Sequence, residues 1–165
     1  FDGSTQYLNT GLRLQNLADV ELSNISMFVK PDSTDQATGR MAIGDGAYAL
    51  GPNITAATFS VRGGASTADT ISGAAYGNLA GVRRTNPATF DTFTAGGFVS
   101  TVTKNVLSNW LANDLLIGCT VASAVPASFY TGQIRVAGVG TALTNDQFAA
   151  LNTAITTYLT DIAGL

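Results

Sequence analysis

A chain of 165 residues with eight Lys and Arg, eleven Asp and Glu and no His carries a net charge of −3. Only 12% of it is charged, 45% is apolar and 18 residues are Gly, which is a turn-rich, β-leaning composition for one domain able to bury about 70% of its unfolded surface. The acidic balance argues against a phosphate-binding surface, which is built from clustered Lys and Arg. The missing histidine removes the commonest general base, the Ser-His and Cys-His nucleophile systems and every His metal site.

Short alternating apolar segments recur along the chain, bounded by Gly, Asn, Pro or Ser, and predict an antiparallel sandwich or barrel. In order, strands are expected over Phe1 to Leu8, around Leu12 and Leu14, and over Val20 to Lys30, where Ile25, Met27 and Val29 share a face before Pro31-Asp32-Ser33 stops the run. Arg40 to Asp45 and Ala56 to Arg62 follow, the latter closed by Gly63-Gly64. Gly63 to Gly81 reads as a long surface loop with one short strand embedded. Asn78 to Arg84 comes next, then Phe90 to Thr94, which turns through Ala95-Gly96-Gly97 into Phe98 to Val106. Leu115 to Gly118 and Ile134 to Val139 complete the strands, which together occupy about residues 1–140.

The end of the chain changes period. Thr144 and Gln147 form a predicted capping box, and Phe148, Leu151, Ile155, Tyr158, Leu159 and Ile162 form an apolar stripe over a helix of about residues 144–163. A helix of this length is marginal alone in water, so its stripe is expected against the sandwich or a neighbouring subunit. No apolar run approaches the ~20 residues of a bilayer span and no signal segment is present. The chain opens on Phe1 instead of Met, and the single domain, residues 1–165, is expected to belong to a longer polypeptide.

Candidate chemistry is sparse. Cys119 is the lone cysteine, which leaves no intrachain disulfide, and within Leu115-Leu-Ile-Gly-Cys119 it reads as a small buried apolar residue. Arg83-Arg84 reads as a solvated strand end. Asp19 and Glu21 are the one carboxylate pair with the alternate spacing that glycoside hydrolysis uses, and a solvated outer face is the preferred reading. Asp32, Asp35 and Asp45 lie in or beside loops where oxygen ligands could gather around calcium, but no compact acidic ligand loop is present and turn-forming Asp is preferred. Sugars stack on aromatic faces, and Tyr48, Tyr76 and Tyr130 sit near Gly or Pro turns. With Asp45 and Arg84 they are the candidate ligand-binding residues, while Phe129 is expected to be buried.

The order of several pieces then carries a resemblance. Phe1-Asp-Gly-Ser-Thr-Gln-Tyr-Leu8, Ile25-Ser-Met-Phe-Val-Lys-Pro31, Leu116-Ile-Gly118, Phe129-Tyr-Thr-Gly-Gln-Ile134 and Thr141-Ala-Leu-Thr-Asn-Asp-Gln-Phe-Ala-Ala-Leu151 resemble successive motifs of concanavalin A-like, laminin-G-like lectin-glucanase sandwich domains. Phe28 stands where those domains commonly have Trp. The final helix with Ile155-Thr-Thr-Tyr158 looks like versions carried by tailed bacteriophages in tail-fibre, tail-tip and capsid-attached proteins.

The resemblance implies an all-β jelly-roll sandwich of two antiparallel sheets with a C-terminal amphipathic helix. It further implies a domain displayed on the virion surface as a homo-oligomer, a trimer among the options, whose partners are host cell-surface carbohydrate and other virion proteins; the missing glucanase carboxylate motif makes the expected role non-enzymatic. No nucleic acid, membrane insertion or cofactor is expected. A capsid-decoration or fibre module with a purely structural role is the alternative, and a glycosidase ranks below both.

Overall fold

A strand places every second side chain on one face, and the chain uses that parity to turn two sheets onto a shared core. The computed structural model describes residues 1–2, 4–17, 23–32, 40–53, 58–64, 69–71, 77–105, 113–123 and 125–163. One sheet contains β1 (Leu8–Asn9), β3 (Ile43–Gly44), β4 (Tyr48–Asn53), β5 (Thr58–Gly63), β6 (Asp69–Ile71) and β10 (Leu116–Ile117) in the order β1-β10-β3-β4-β5-β6. The other contains β2 (Ile25–Pro31), β7 (Ala80–Arg84), β8 (Thr89–Thr94), β9 (Gly97–Thr103) and β13 (Ile134–Gly140) in the order β13-β2-β7-β8-β9. A ribbon of β11 (Thr120–Ala122) and β12 (Val125–Ala127) and one helix, α1 (Asn145–Ala163), complete the described elements. The expected jelly-roll sandwich of two antiparallel sheets with a C-terminal helix is what the chain forms.

The predicted inward face of β2, Ile25, Met27 and Val29, is fully buried and shares one core with Ile43, Leu50, Phe59, Val61 and Ile71 of the opposite sheet. The β8–β9 hairpin turns at Ala95 (φ 49°) and Gly96 (φ 80°), successive left-handed residues that match the right-handed twist of the flanking strands. Its register shifts between Thr92 and Phe93, which is where alternation in the sequence is imperfect.

Several strand boundaries differ from the sequence reading. The expected first strand, Phe1 to Leu8, is interrupted: Asp2 bridges Thr131 and Leu8 opens β1, but between them Asp2 Oδ1 accepts from the backbone N–H groups of Ser4, Thr5 and Gln6 and curls the segment into a turn. Around Leu14 the chain forms a short 3₁₀ turn, Leu14–Asn16, instead of an edge strand. β4 and the β11–β12 ribbon were not anticipated. Of the expected long loop, β6 is the embedded strand, while residues 65–68 and 72–76 lie outside the described residues, as do 18–22 and 106–112.

The capping box forms as expected: Thr144 Oγ1 accepts from Gln147 N at 3.2 Å, and Gln147 Oε1 accepts from Thr144 N at 2.7 Å. The first half of α1 docks on the outer face of the five-stranded sheet. Phe148 is fully buried and stacks on Phe93 at 4.2 Å between centroids. Gly81 makes room for it, since a Cβ there would lie 2.5 Å from Phe148 Cε1. Ile155 is buried too, but Tyr158 and Ile162 are 61% and 44% exposed, so the stripe is only half used by the sandwich.

Gly81→Ala therefore tests the docking: the added methyl should displace the Phe148 ring and cost about 1–3 kcal/mol, lowering the thermal midpoint by about 2–10 °C. An unchanged midpoint would show that the helix contributes nothing through this contact.

Candidate functional site

Four of the five ligand-binding residues expected from sequence fold into the interior. Tyr48 shares strand parity with the core residue Leu50, so its ring turns inward and is fully buried. Its hydroxyl end rests over Gly64, whose φ of +79° and missing Cβ allow the contact. Asp45 lies in the turn before it, with Oδ1 accepting from Ala47 N at 2.9 Å and Tyr48 N at 2.8 Å. Tyr130 is also fully buried in the main core. The expectation that these residues are open to a ligand is corrected: their Gly neighbours supply turns and close packing, not exposure. Tyr76 lies outside the described residues, as do Asp19, Glu21 and Asp35.

Arg84 is likewise no solvated strand end. Its guanidinium is fully buried, with Nε donating to Gly63 O at 2.6 Å, Nη1 to Asn86 O and Pro87 O at 3.3 and 3.1 Å, and Nη2 to Lys104 O at 2.9 Å. It also bonds the Tyr48 side chain and lies 5.4 Å from the Phe90 ring centroid. A buried cation is tolerated when its N–H groups are satisfied in this way. Arg83, beside it, is half-buried and pairs with Asp91 at 2.5 Å.

Asp45 and Asp32 are not brought together. Asp32 pairs with Arg135 at the end of β2, whereas Asp45 is buried in the β3–β4 turn. Among the described residues no three His, Cys, Asp or Glu side chains gather as a metal would require. Cys119 is buried as expected, and burial pushes its thiol up to about 11, which keeps it protonated and unreactive. Phe129 is half-buried against Leu116, Cys119 and Val121.

Both broad sheet faces carry covers. Phe148 occupies the five-stranded one. On the six-stranded one, a Cβ at Gly51 would lie 2.1 Å from Arg40 O and one at Gly44 2.6 Å from Thr120 Oγ1, so the Arg40 segment and the ribbon press directly on that sheet. Open concavities remain at the borders of these covers.

One is a polar notch of about 320 Å³ between β1 and the ribbon, lined among others by Tyr7, Asn9, Arg13, Asn113 and Asp114. Asp114 organises it. Asn9 Nδ2 donates to Asp114 Oδ2 at 3.0 Å and Arg13 Nε to Asp114 Oδ1 at 3.1 Å, and these two bonds hold the carboxyl below its ordinary range. Asn9 Oδ1 accepts from Gly11 N at 2.8 Å, and Asn113 Nδ2 donates to Asp45 O at 2.9 Å, so both amides are fixed in orientation. Tyr7 stands at the edge, 42% exposed, its ring 6.1 Å from that of Phe129. The notch presents a guanidinium, a carboxylate, two oriented amides and an aromatic face with their geometry set in advance. Sequence reasoning missed it because Asn9 and Asp114 are 105 residues apart.

No protein-family model and no curated protein matches the chain. Among solved structures it is similar to the IT-sialidase CBM40 of Ruminococcus gnavus, at 14% identity and a TM-score of 0.62 over 79% of this chain and 83% of that one. The same CBM40 has been solved bound to α2,3- and α2,6-sialyllactose, with TM-scores of 0.60 and 0.61 to this chain. It is similar also to domain 4 of AbnA, a GH43 extracellular arabinanase of Geobacillus stearothermophilus, in complex with arabinotriose, at 14% identity and a TM-score of 0.51 over 78% of this chain and 65% of that one. At such identities the likeness is one of fold, the β-sandwich.

Asp45 gives the site region a pH signature. Burial pushes its carboxyl up to about 6 from an ordinary 3.8, against the pull of the two N–H groups on it. The folded state thus holds this proton longer than the unfolded chain does. Its contribution is present in full below about pH 4 and is lost as pH rises through about 6, on the order of 2–3 kcal/mol. Urea midpoints should fall between pH 4 and 7, and Asp45→Asn should flatten that fall. An equally steep fall in the variant would refute the assignment. Asp2 and Asp114, whose carboxyls are held below the ordinary range, act in a separate window and lose their contribution below about pH 4.

Proposed function

We propose that this chain is a non-catalytic attachment domain that binds saccharide through the notch around Tyr7 and Asp114 at the surface of a bacteriophage particle. The observation that carries the reading is the oriented Asn9–Asp114–Arg13 network beside an exposed aromatic ring. A sugar hydroxyl donates and accepts at once, which suits adjoining carboxylate, amide and guanidinium groups, while the C–H face of the ring stacks on Tyr. The likeness in fold to a carbohydrate-binding module solved with sialyllactose and to an arabinanase domain solved with arabinotriose supports a saccharide as the ligand. The virion setting rests on the ordered motifs and helical close that resemble phage-borne sandwich domains, and so does display as a homo-oligomer.

The non-catalytic reading draws on the same notch. Glycoside hydrolysis uses two carboxyl groups roughly 5–10 Å apart, one of them protonated as the acid. Among the described residues Asp114 is the one carboxylate lining the notch, and its neighbours hold it ionised. The sequence supplies no histidine to replace a second acid.

Tyr7→Ala and Asp114→Asn should each weaken binding of the multimerised domain to host cells and to the glycans it selects on an array at least tenfold, with an unchanged far-ultraviolet circular dichroism spectrum. Full binding by both variants would eliminate the notch as the contact.

A second reading, a decoration or fibre module held by another virion protein, is favoured by the exposed Tyr158 and Ile162 of α1. Replacing both with Lys should then block incorporation into particles and leave array binding intact. The reverse outcome assigns the helix no docking role.

A further inference from the structure

A concavity larger than the notch lies where the end of β2 and the start of β13 meet the last turns of α1. It encloses about 550 Å³ and is lined, among others, by Lys30, Asp32, Arg135, Thr156 and Leu159. Two cations share it because the strand register breaks there. Ile134 pairs with Pro31 and Val136 with Lys30, leaving Arg135 as the extra residue of a β-bulge. A bulge re-aims a side chain, and here it brings the Arg135 guanidinium to the same hollow as Lys30.

The groups are only partly neutralised. Arg135 Nε and Nη2 both donate to Asp32 Oδ1 at 2.7 Å, so one edge of the fork is spent on one carboxylate oxygen. Lys30 Nζ donates to Gly77 O at 2.5 Å, an uncharged acceptor. Among the described residues lining it, two cations against one carboxylate leave one positive charge, on a chain whose net charge is −3. Burial and the nearby Arg135 charge both pull the Lys30 ammonium below its ordinary pKa, as expected of a cation short of a counter-charge.

The rest of the lining selects the kind of anion. The helix ends here, and its last carbonyls disfavour negative charge, a dianion more than a monoanion, while offering acceptors to hydroxyl groups. Thr156 adds a hydroxyl, and Leu159, Pro31 and Ala163 add an apolar floor. One negative charge on a hydroxylated ring with an apolar face meets all of these demands, and a phosphate dianion does not.

We propose that this hollow is a second saccharide site, specific for a ring bearing a carboxylate, with Lys30 and the outer edge of Arg135 holding the carboxylate and Thr156 and Leu159 the ring. It rests on the attachment reading only in the choice of a saccharide, and it uses no residue of the notch.

The test is an amide chemical-shift titration of the whole chain with trigalacturonate, its methyl ester, galactotriose, acetate and inorganic phosphate. Trigalacturonate should shift and saturate the resonances of Lys30, Arg135 and Thr156, and the uncharged methyl ester and galactotriose should bind there at least tenfold more weakly. Lys30→Met and Arg135→Gln should each weaken trigalacturonate tenfold or more, and Asp114→Asn should not. Equal binding of acid and ester would overturn the proposal, as would acetate or phosphate matching trigalacturonate at the same resonances. Shifts confined to Tyr7, Asn9 and Asp114 would also overturn it while leaving the notch reading intact. Should Arg135→Gln fail to fold, the acid-against-ester comparison on the unaltered chain decides.

Discussion

The buried Arg84 guanidinium is the interaction that the sandwich is arranged around. It leaves β7 in one sheet and reaches the Gly63 carbonyl of β5 in the other, with the carbonyls of Asn86, Pro87 and Lys104 closing around its remaining edge. A cation removed from water costs far more than one hydrogen bond returns, so each of these acceptors has to be held in place by its own strand or turn. The surroundings follow from that demand. A Cβ at Gly63 would lie 2.4 Å from the Phe90 ring, so glycine lets that ring lie directly against the strand whose carbonyl takes the Arg84 Nε. Tyr48 caps the guanidinium from β4, which places Asp45 in the preceding turn. What the sequence presents as scattered polar residues near turns is one clamp between two sheets.

The outer faces of both sheets are closed by apolar or backbone contact. Phe148 fills the space over Gly81. A Cβ at Gly138 would lie 2.3 Å from the Phe28 ring, so Phe28 covers the neighbouring strand on that same sheet. Open concavities with polar lining are left at seams: the notch where β1 meets the ribbon, and the hollow where β2 and β13 meet the end of α1. Both seams join segments distant in sequence, and both hold their polar groups through partners within the protein. Groups oriented in this way lose little conformational freedom when a ligand arrives.

Period and capping were legible in the sequence because they are local. The inward face of β2, the Thr144–Gln147 box and the burial of Cys119 all follow from residues within a few positions of one another. β4 was not legible, because Tyr48, Ala49 and Leu50 are all buried, and a strand covered on both faces shows no polar alternation. Tyr48 and Tyr130 were misplaced for a related reason: a Gly neighbour marks a turn and also marks close packing, and the sequence does not distinguish them. The first strand failed through one side chain, Asp2, whose carboxylate competes for three backbone N–H groups. The notch was out of reach altogether, since Arg13 and Asp114 meet across 101 residues and only the sheet order β1-β10 brings them together.

Pre-paired polar seams also set the kind of affinity available. At the notch every ligand hydrogen bond replaces one to water, and Asp114 and Asn9 already spend part of their capacity on each other, so the net gain per bond is about 0.5–1.5 kcal/mol. Stacking on a half-exposed ring such as Tyr7 adds little more, because its outer face stays wet. A single site of this kind binds weakly and releases quickly. On the proposed reading, strength would have to come from number, since multivalent display raises effective affinity about 10²-fold or more without new contacts. A surface of low charge density suits that arrangement, since it limits long-range repulsion between copies.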